Sequence, residues 1–274
     1  MNTKYVFLDV DGTLVNFKGE IPDSAVRALK EAQANGHKML LATGRQKSQI
    51  YKFLTDAVPF DGILASSSAY VEYDGKVLFE SRPTQEKLNL LIDFFHEYDI
   101  PFTLQSTNML YAEQNSFDRI YANMKAKGNG EALLESIFAN TTIVSDPKTL
   151  TNVEKVAYYD SPFDIDGMQA RLGDYFYVIS YSFSPTQTYF HGEITFDGVN
   201  KAGGIKLLMD AVGAPISDSI AVGDSGNDLE MIKAAGFGVA MGNASPDVKA
   251  VADLVTTHID EDGIYKAFRQ IGLI

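Results

Sequence analysis

The 274 residues, 45% of them hydrophobic, suffice for a core domain and a smaller companion, and two domains are expected. The balance of 23 Lys+Arg against 36 Asp+Glu, a net charge of -13, argues against a general nucleic-acid or anionic-membrane binder. The absence of cysteine excludes disulfides, zinc–thiolate sites and thiol catalysis, so any metal must sit among oxygen or histidine ligands.

In chain order, Met1-Asn2-Thr3-Lys4 precedes a short apolar run at residues 5–8, too short for the apolar core of a signal peptide and suited to a buried strand. No charge-free stretch could span a bilayer, and a cytoplasmic location is the expectation. Asp23 can cap a helix carrying Ala25, Val26, Leu29 and Ala32 on one face, with Gly36 placed to end it. A strand at 39–42, a short helix at 46–54 and a strand at 63–65 continue a strand–helix alternation typical of a parallel sheet. Residues 71–79 then alternate around Asp74-Gly75, a tight-hairpin signal.

From about Thr84 to Pro185 the register changes to an α+β insert. It holds a helix through Leu88, Leu91, Ile92 and Phe95, strands at 102–104 and 109–112, a helix at 117–124, a strand at 153–158, a helix at 163–172 and a strand at 175–181. Tyr175, Tyr177 and Tyr181 alternate along that last strand and are assigned to core packing rather than to stacking on a substrate. Alternation resumes from Lys201: a helix to 212, a strand at 219–222, a helix at 228–235, strands at 237–241 and 254–255, and a terminal helix. The expected organisation is therefore an α/β core at 1–83 and 186–274 interrupted by a second domain at 84–185.

Binding crevices of open α/β sheets lie at the carboxyl ends of the strands. There stand Asp9-Val10-Asp11-Gly12-Thr13, then Thr43-Gly44-Arg45, then Lys201 opening a helix, then Gly223-Asp224-Ser225-Gly226-Asn227-Asp228. Phosphoryl transfer needs an in-line nucleophile, a metal, donors for the developing charge and a proton donor for the leaving oxygen, and this set fills every role. Asp9 can attack phosphorus as an ionised carboxylate. Asp11 suits a general acid that later activates water. Asp9 and Asp224 supply hard oxygen ligands for Mg2+, and Asp228, one helical turn from Asp224, can position Lys201 or a metal-bound water. Thr43, the Gly44 amide, Lys201 and Asn227 are donors for the phosphate.

Each segment alone also reads blandly. Asp-x-Asp-Gly is an ordinary turn, Arg45 a solvated charge, Lys201 a surface lysine, and Gly-Asp-Ser-Gly-Asn-Asp a capped strand–helix connection. Their joint occurrence in order at strand ends decides for chemistry. The glycines at 236, 238 and 242 do not match a dinucleotide fingerprint, no P-loop is present, and His37, His96, His191 and His258 show no ligand spacing.

Together the four segments resemble the haloacid dehalogenase-like hydrolase superfamily, and Gly223 to Met231 resembles its Cof-type phosphatase branch. The resemblance covers essentially the whole chain. It implies a Rossmann-like core, a large α/β (C2-type) cap inserted between the second and third segments, and magnesium dependence. It makes Asp9 the nucleophile and a metal ligand, and Asp11 the acid/base whose carbonyl also reaches the metal. Asp224 becomes the second metal carboxylate, with Val10, Thr43, Gly44, Lys201 and Asn227 contacting phosphate. The expected activity is hydrolysis of small phosphomonoesters (sugar phosphates, nucleotides or phosphorylated cofactors), with the insert as a mobile lid over the site. Two rivals keep part of this reading: a sugar phosphomutase, and a non-catalytic phosphate-binding regulator, which the paired carboxylates disfavour.

Overall fold

The apolar run Val6-Phe7-Leu8 is fully buried and forms β1 (Tyr5–Leu8) at the centre of the first sheet, in a computed structural model that describes residues 2–107, 109–127, 130–180, 190–196 and 199–274. Helix α1 (Asp23–Ala34) follows and buries Ala25, Ala28, Leu29 and Ala32. Pro22, not Asp23, occupies the cap position, and Asp23 begins the helix as a first-turn acid favoured by the helix dipole. After β2 (Lys38–Ala42) the helix expected at 46–54 is instead a 3-10 turn at Lys47–Gln49 and, after a break at Ile50 and Tyr51, helix α2 (Lys52–Ala57). The break has a physical reason: Ile50 and Tyr51 are extended, which lets both pack against the core. Strand β3 (Gly62–Ala65) leads through Ser66-Ser67-Ser68 into the hairpin of β4 (Tyr70–Tyr73) and β5 (Lys76–Glu80), whose turn Asp74-Gly75 takes the positive φ values, 50° and 71°, of a tight turn.

The inserted segment contains α3 (Gln85–Glu97), β6 (Phe102–Gln105), β7 (Leu110–Ala112), α4 (Gln114–Ala126), α5 (Glu131–Phe138), β8 (Thr141–Ile143), β9 (Lys155–Ser161), α6 (Ile165–Leu172), β10 (Phe176–Ser180) and β11 (Phe190–Phe196). Helix α5 and strands β8 and β11 were not legible in the sequence. Six strands form a sheet in the order β10-β11-β9-β6-β7-β8, and one face packs Phe102, Val156, Tyr158, Phe176 and Ile194 against Leu91 and Phe95 of α3. Because β11 pairs with both β9 and β10, this unit runs Ser81–Gly198, past the expected end at 185. The tyrosine alternation also falls on the other face: Phe176 and Val178 are buried, Tyr177 is half-buried and Tyr175 is 62% exposed under Lys87. Tyr181 and Pro185 lie outside the described residues.

The chain then returns to the first unit, Met1–Glu80 with Val199–Ile274, through α7 (Lys201–Ala211), β12 (Ser219–Gly223), α8 (Leu229–Ala234), β13 (Phe237–Ala240), α9 (Pro246–Val251), β14 (Leu254–Val255) and α10 (Gly263–Gln270). The eight strands are ordered β14-β13-β12-β1-β2-β3-β4-β5, parallel from β14 to β3 and antiparallel in the terminal hairpin. Two apolar layers cover its faces, one built on α1 and α10, the other on α7, α8 and α9. This is the expected α/β class, and it sets the carboxyl ends of β12, β1 and β2 side by side. Among the described residues no helix is long and apolar enough to cross a membrane.

Helix α7 lies tight on the serine turn, since a Cβ at Gly204 would stand 2.1 Å from Ser68 Oγ and 2.4 Å from Ser68 Cβ. Gly204→Ala is expected to destabilise the protein by about 3 kcal/mol through this overlap. Ser68 sits at φ 76°, where glycine is at ease, so Ser68→Gly should restore most of the urea midpoint lost in Gly204→Ala. An uncorrected loss in the double variant would show that the overlap is not its cause.

A candidate active site at three strand ends

Asp9 is the first residue beyond β1 and is 5% exposed, its amide bonded to the Val222 carbonyl of β12 at 3.0 Å. The chain turns at once: the Val10 carbonyl accepts the amides of Leu14 and Val15 at 2.9 and 2.8 Å. Gly12 is required here on two counts. Its φ is +84°, and a Cβ would stand 2.3 Å from Asp224 Oδ2.

Beyond β12, Asp224 and Ser225 donate their amides to Asp228 Oδ2, each at 3.0 Å, closing the loop around one buried carboxylate oxygen. Thr13 Oγ1 donates to Asp224 Oδ1 at 3.1 Å, and Asn243 Nδ2 bonds the Gly12 carbonyl at 2.8 Å and Asp224 Oδ2 at 3.4 Å. Thr13 was only named within its motif and Asn243 not at all. Asn243 lies after β13, far along the chain, where no local pattern marks it.

Lys201 is the first residue of α7, whose start is fixed by the Asn200 side chain accepting the Gly203 amide at 2.8 Å. Its buried ammonium has three donors and three acceptors: Asp9 Oδ1 at 2.6 Å, Asp228 Oδ1 at 2.5 Å and Asn227 Oδ1 at 3.4 Å. Ser225 Oγ also donates to Asn227 Oδ1 at 2.8 Å, which turns the amide oxygen of Asn227 inward. Burial opposes the charge on Lys201, but Asp228 and Asp9 outweigh it and raise its pKa.

One ammonium stands among three buried carboxylates and bonds two of them, Asp9 and Asp228, and the imbalance shows in the acidity of Asp9 and Asp224. Burial first, then the charge of Asp228, pushes Asp9 well above the usual carboxylate range, with Lys201 opposing; the same two causes bring Asp224 to about 7. Asp9, Asp224 and Asp228 each offer an oxygen within 4.8 Å of the others. Both Asp228 oxygens are already bonded, to Lys201 and to the loop amides, so its place is that of an organiser, whereas Asp9 and Asp224 make a hard oxygen pair short of positive charge.

The second segment comes alongside because β2 neighbours β1 in parallel. Thr43 is 1% exposed, with its amide on the Leu64 carbonyl and its carbonyl accepting the Ser67 amide. Ser66, Ser67 and Ser68 all take positive φ (50°, 55°, 76°) and are buried, and Ser66 bonds the Arg45 carbonyl, so a strained turn braces the loop. Arg45 is no solvated charge. Its Nε and Nη2 fork onto Asp11 Oδ2 and Oδ1 at 2.6 and 2.8 Å. Asp9, Asp224, Asp228, Lys201 and Asn227 thus form one bonded cluster, while the Asp11 side chain, half exposed, bonds Arg45 instead. The histidines stay elsewhere: His37 Nδ1 accepts the Lys4 amide, His258 caps a turn, and His96 and His191 belong to the second unit.

A family model described as haloacid dehalogenase-like hydrolase matches residues 6–268. Among curated proteins, the chain is similar to the phosphatase YwpJ of Bacillus subtilis, at 27% identity over 95% of this chain and 97% of that one. It is also similar to the 5-amino-6-(5-phospho-D-ribitylamino)uracil phosphatase YitU of the same organism, at 26% over 98% of each. Among solved structures, the phosphatase BT1666 of Bacteroides thetaiotaomicron superposes with a TM-score of 0.81 at 28% identity, covering 99% of this chain and 96% of that one. The subclass IIB sugar phosphatase BT4131 gives 0.79 at 28%, covering 99% and 100%.

Asp228→Asn tests the cluster itself. One amide oxygen cannot serve both Lys201 and the two loop amides, so a buried donor is left facing an amide nitrogen. A loss of about 3 kcal/mol in urea unfolding is expected; unchanged stability would mean that the loop does not depend on Asp228.

Proposed function

The chain belongs to the haloacid dehalogenase-like hydrolase family and is a phosphatase by class, and from that premise we propose that it is a magnesium-dependent hydrolase of small phosphomonoesters acting through an aspartyl-phosphate on Asp9. The observation that carries the reading is the buried Asp9–Lys201–Asp228 network with Asp224 beside it, at the carboxyl ends of adjacent parallel strands.

Asp9 Oδ1 is held by Lys201, and its Oδ2 takes no hydrogen bond from a described residue. That oxygen is the nucleophile. It attacks phosphorus in line as the bond from phosphorus to the ester oxygen breaks, and the departing oxygen takes the electron pair of that bond and the proton of Asp11. The Asp11 carboxylate then removes a proton from water, whose oxygen attacks phosphorus and releases orthophosphate and the Asp9 carboxylate. Val10 and Gly44 amides, the Thr43 hydroxyl, the Asn227 amide and Lys201 are the proposed donors to the phosphate oxygens.

The residues fit a hard cation. Their oxygen donors match magnesium's preference, and the cluster holds more carboxylate than ammonium in a place where water cannot compensate. Asp9, Asp224 and the Asp11 carbonyl would hold it, with Asp228 supporting, and it would supply charge neutralisation of the phosphate oxygens. The substrates are proposed to be sugar phosphates, nucleotides or phosphorylated cofactors, a range supported by the sugar and ribitylaminouracil phosphates named for the similar proteins. The insertion of the second unit between the second and third segments supports reading it as a cap that selects among them.

A panel of phosphomonoesters assayed with and without magnesium tests the reading. Phosphate release is expected only with metal, and Asp9→Asn should lose at least about a thousandfold; an equally active Asp9→Asn would overturn the assignment. Independently of activity, magnesium should raise the thermal midpoint by at least about 2 °C, and Asp224→Asn should abolish that rise. No rise in the parent protein would remove the metal from the proposal.

A further inference from the structure

Arg45 was given no role of its own beyond its place in the second segment, and its surroundings are not those of a solvated charge. Every part of its guanidinium is engaged. Nε and Nη2 form the fork on Asp11, Nη2 also donates to the Tyr51 hydroxyl, Nη1 reaches the Gln49 carbonyl at 3.4 Å, and the group lies 4.1 Å over the Tyr51 ring. The main chain of Arg45 is pinned as well, its amide to Thr43 Oγ1 at 3.1 Å and its carbonyl to the Ser66 amide at 2.8 Å. The break before α2 supplies two of these contacts, since Tyr51 lies in it and Gln49 directly precedes it.

Exposed ion pairs generally contribute little because two flexible side chains must be ordered to form them. Here that ordering is already done on the arginine side by aromatic, carbonyl and backbone contacts, and the fork is bidentate, a geometry that fixes direction as well as distance. Asp11 is less supported: it is half exposed, sits in a turn, and beyond the fork its carboxylate receives a 3.4 Å bond from the Tyr51 hydroxyl. A carboxylate that must exchange a proton with one particular oxygen needs its position set to within a fraction of an ångström.

We propose that Arg45, braced by Tyr51, is a positioning residue that holds the Asp11 carboxylate in place for proton exchange with the leaving group. The inference rests on the reading of Asp11 as the acid/base. It makes the second segment serve two ends, with Thr43 and Gly44 turned to the phosphate and Arg45 turned to the acid. It also explains the extended Tyr51, whose ring and hydroxyl both meet the guanidinium.

The test exploits leaving-group chemistry. An alkoxide must be protonated as it departs, whereas para-nitrophenolate departs without a proton, so a defect in the acid is felt on alkyl esters and spared on the aryl ester. Arg45→Ala is expected to lose at least about tenfold more kcat on the fastest alkyl phosphomonoester of the panel than on para-nitrophenyl phosphate. Arg45→Lys, which keeps the charge without the fork, should show the same selectivity at smaller size. Asp11→Asn is the control and should be more selective still, and adding Arg45→Ala to it should change nothing further, because a residue acting through Asp11 has no second route.

If Asp11→Asn is selective and Arg45→Ala impairs both esters equally, Arg45 acts on the phosphate or on the fold and the inference fails alone. A gain on the alkyl ester would also overturn it, since the fork would then be a restraint. If Asp11→Asn itself shows no selectivity, the acid/base reading fails and takes this inference with it.

Discussion

A lysine ammonium buried at the head of α7 and shared between Asp9, Asp228 and Asn227 is the interaction on which the rest of this site depends. Removing such a charge from water is expensive, and a buried ion pair is poor evidence for net stability. Its value is geometric. Asp228 places one oxygen on Lys201 and the other on the amides of Asp224 and Ser225, so the helix and the loop after β12 are tied through it, and Lys201 extends the tie to Asp9 beyond β1. Each tie spans a different part of the sequence. A displacement of α7 would be felt at Asp9 directly, which is why the close seat of Gly204 on Ser68 matters to chemistry as well as to packing.

The same cluster explains the electrostatics without a special device. One ammonium cannot balance three carboxylates in a dry setting, so Asp9 and Asp224 are held above their ordinary acidity. A site that binds an oxygen-preferring cation is built under such tension, because preorganised carboxylates near one another are uncomfortable until positive charge arrives. The strained serine turn contributes in the same manner on the other side, holding the Thr43 loop through left-handed residues that only the surrounding structure makes tolerable.

How much of this the sequence disclosed follows from the range of the forces involved. Strands β1, β2, β3 and β12 announced themselves because they are short apolar runs ended by polar motifs, and a parallel sheet makes the ends of such runs converge. The segments that end these strands were legible for that reason. Strand β11 was missed although Phe190, Ile194 and Phe196 alternate with His191, Glu193 and Thr195, because Gly192 interrupts the apolar face and the pairing with β9 and β10 lies far along the chain. The tyrosines of β10 misled for a related cause: alternation gives two faces but not which one packs, and Phe176 and Val178 took the core. Asn243 and the forked Arg45 depend on contacts made across the chain, so nothing local distinguishes them from surface polar residues.

Asp9 and Asp11 show how one tripeptide acquires two chemistries. The chain turns straight after β1, so the carboxylate next to the strand faces the buried ammonium while the one two residues on is half exposed and meets a guanidinium. Lys201 is anchored by short bonds to Asp9 and Asp228 and an enclosed stem, and its third contact, to Asn227 at 3.4 Å, is the weakest of the set. Arg45 stands on the loop after β2, and its side chain is less exposed than the Asp11 carboxylate it meets. The first arrangement suits the proposed role of Asp9, attack from a fixed point, and the second suits that of Asp11, a proton given up and taken back with access to water. The difference between the two aspartates is therefore set by the turn after β1 and by which cation each one meets, with Val10 buried between them.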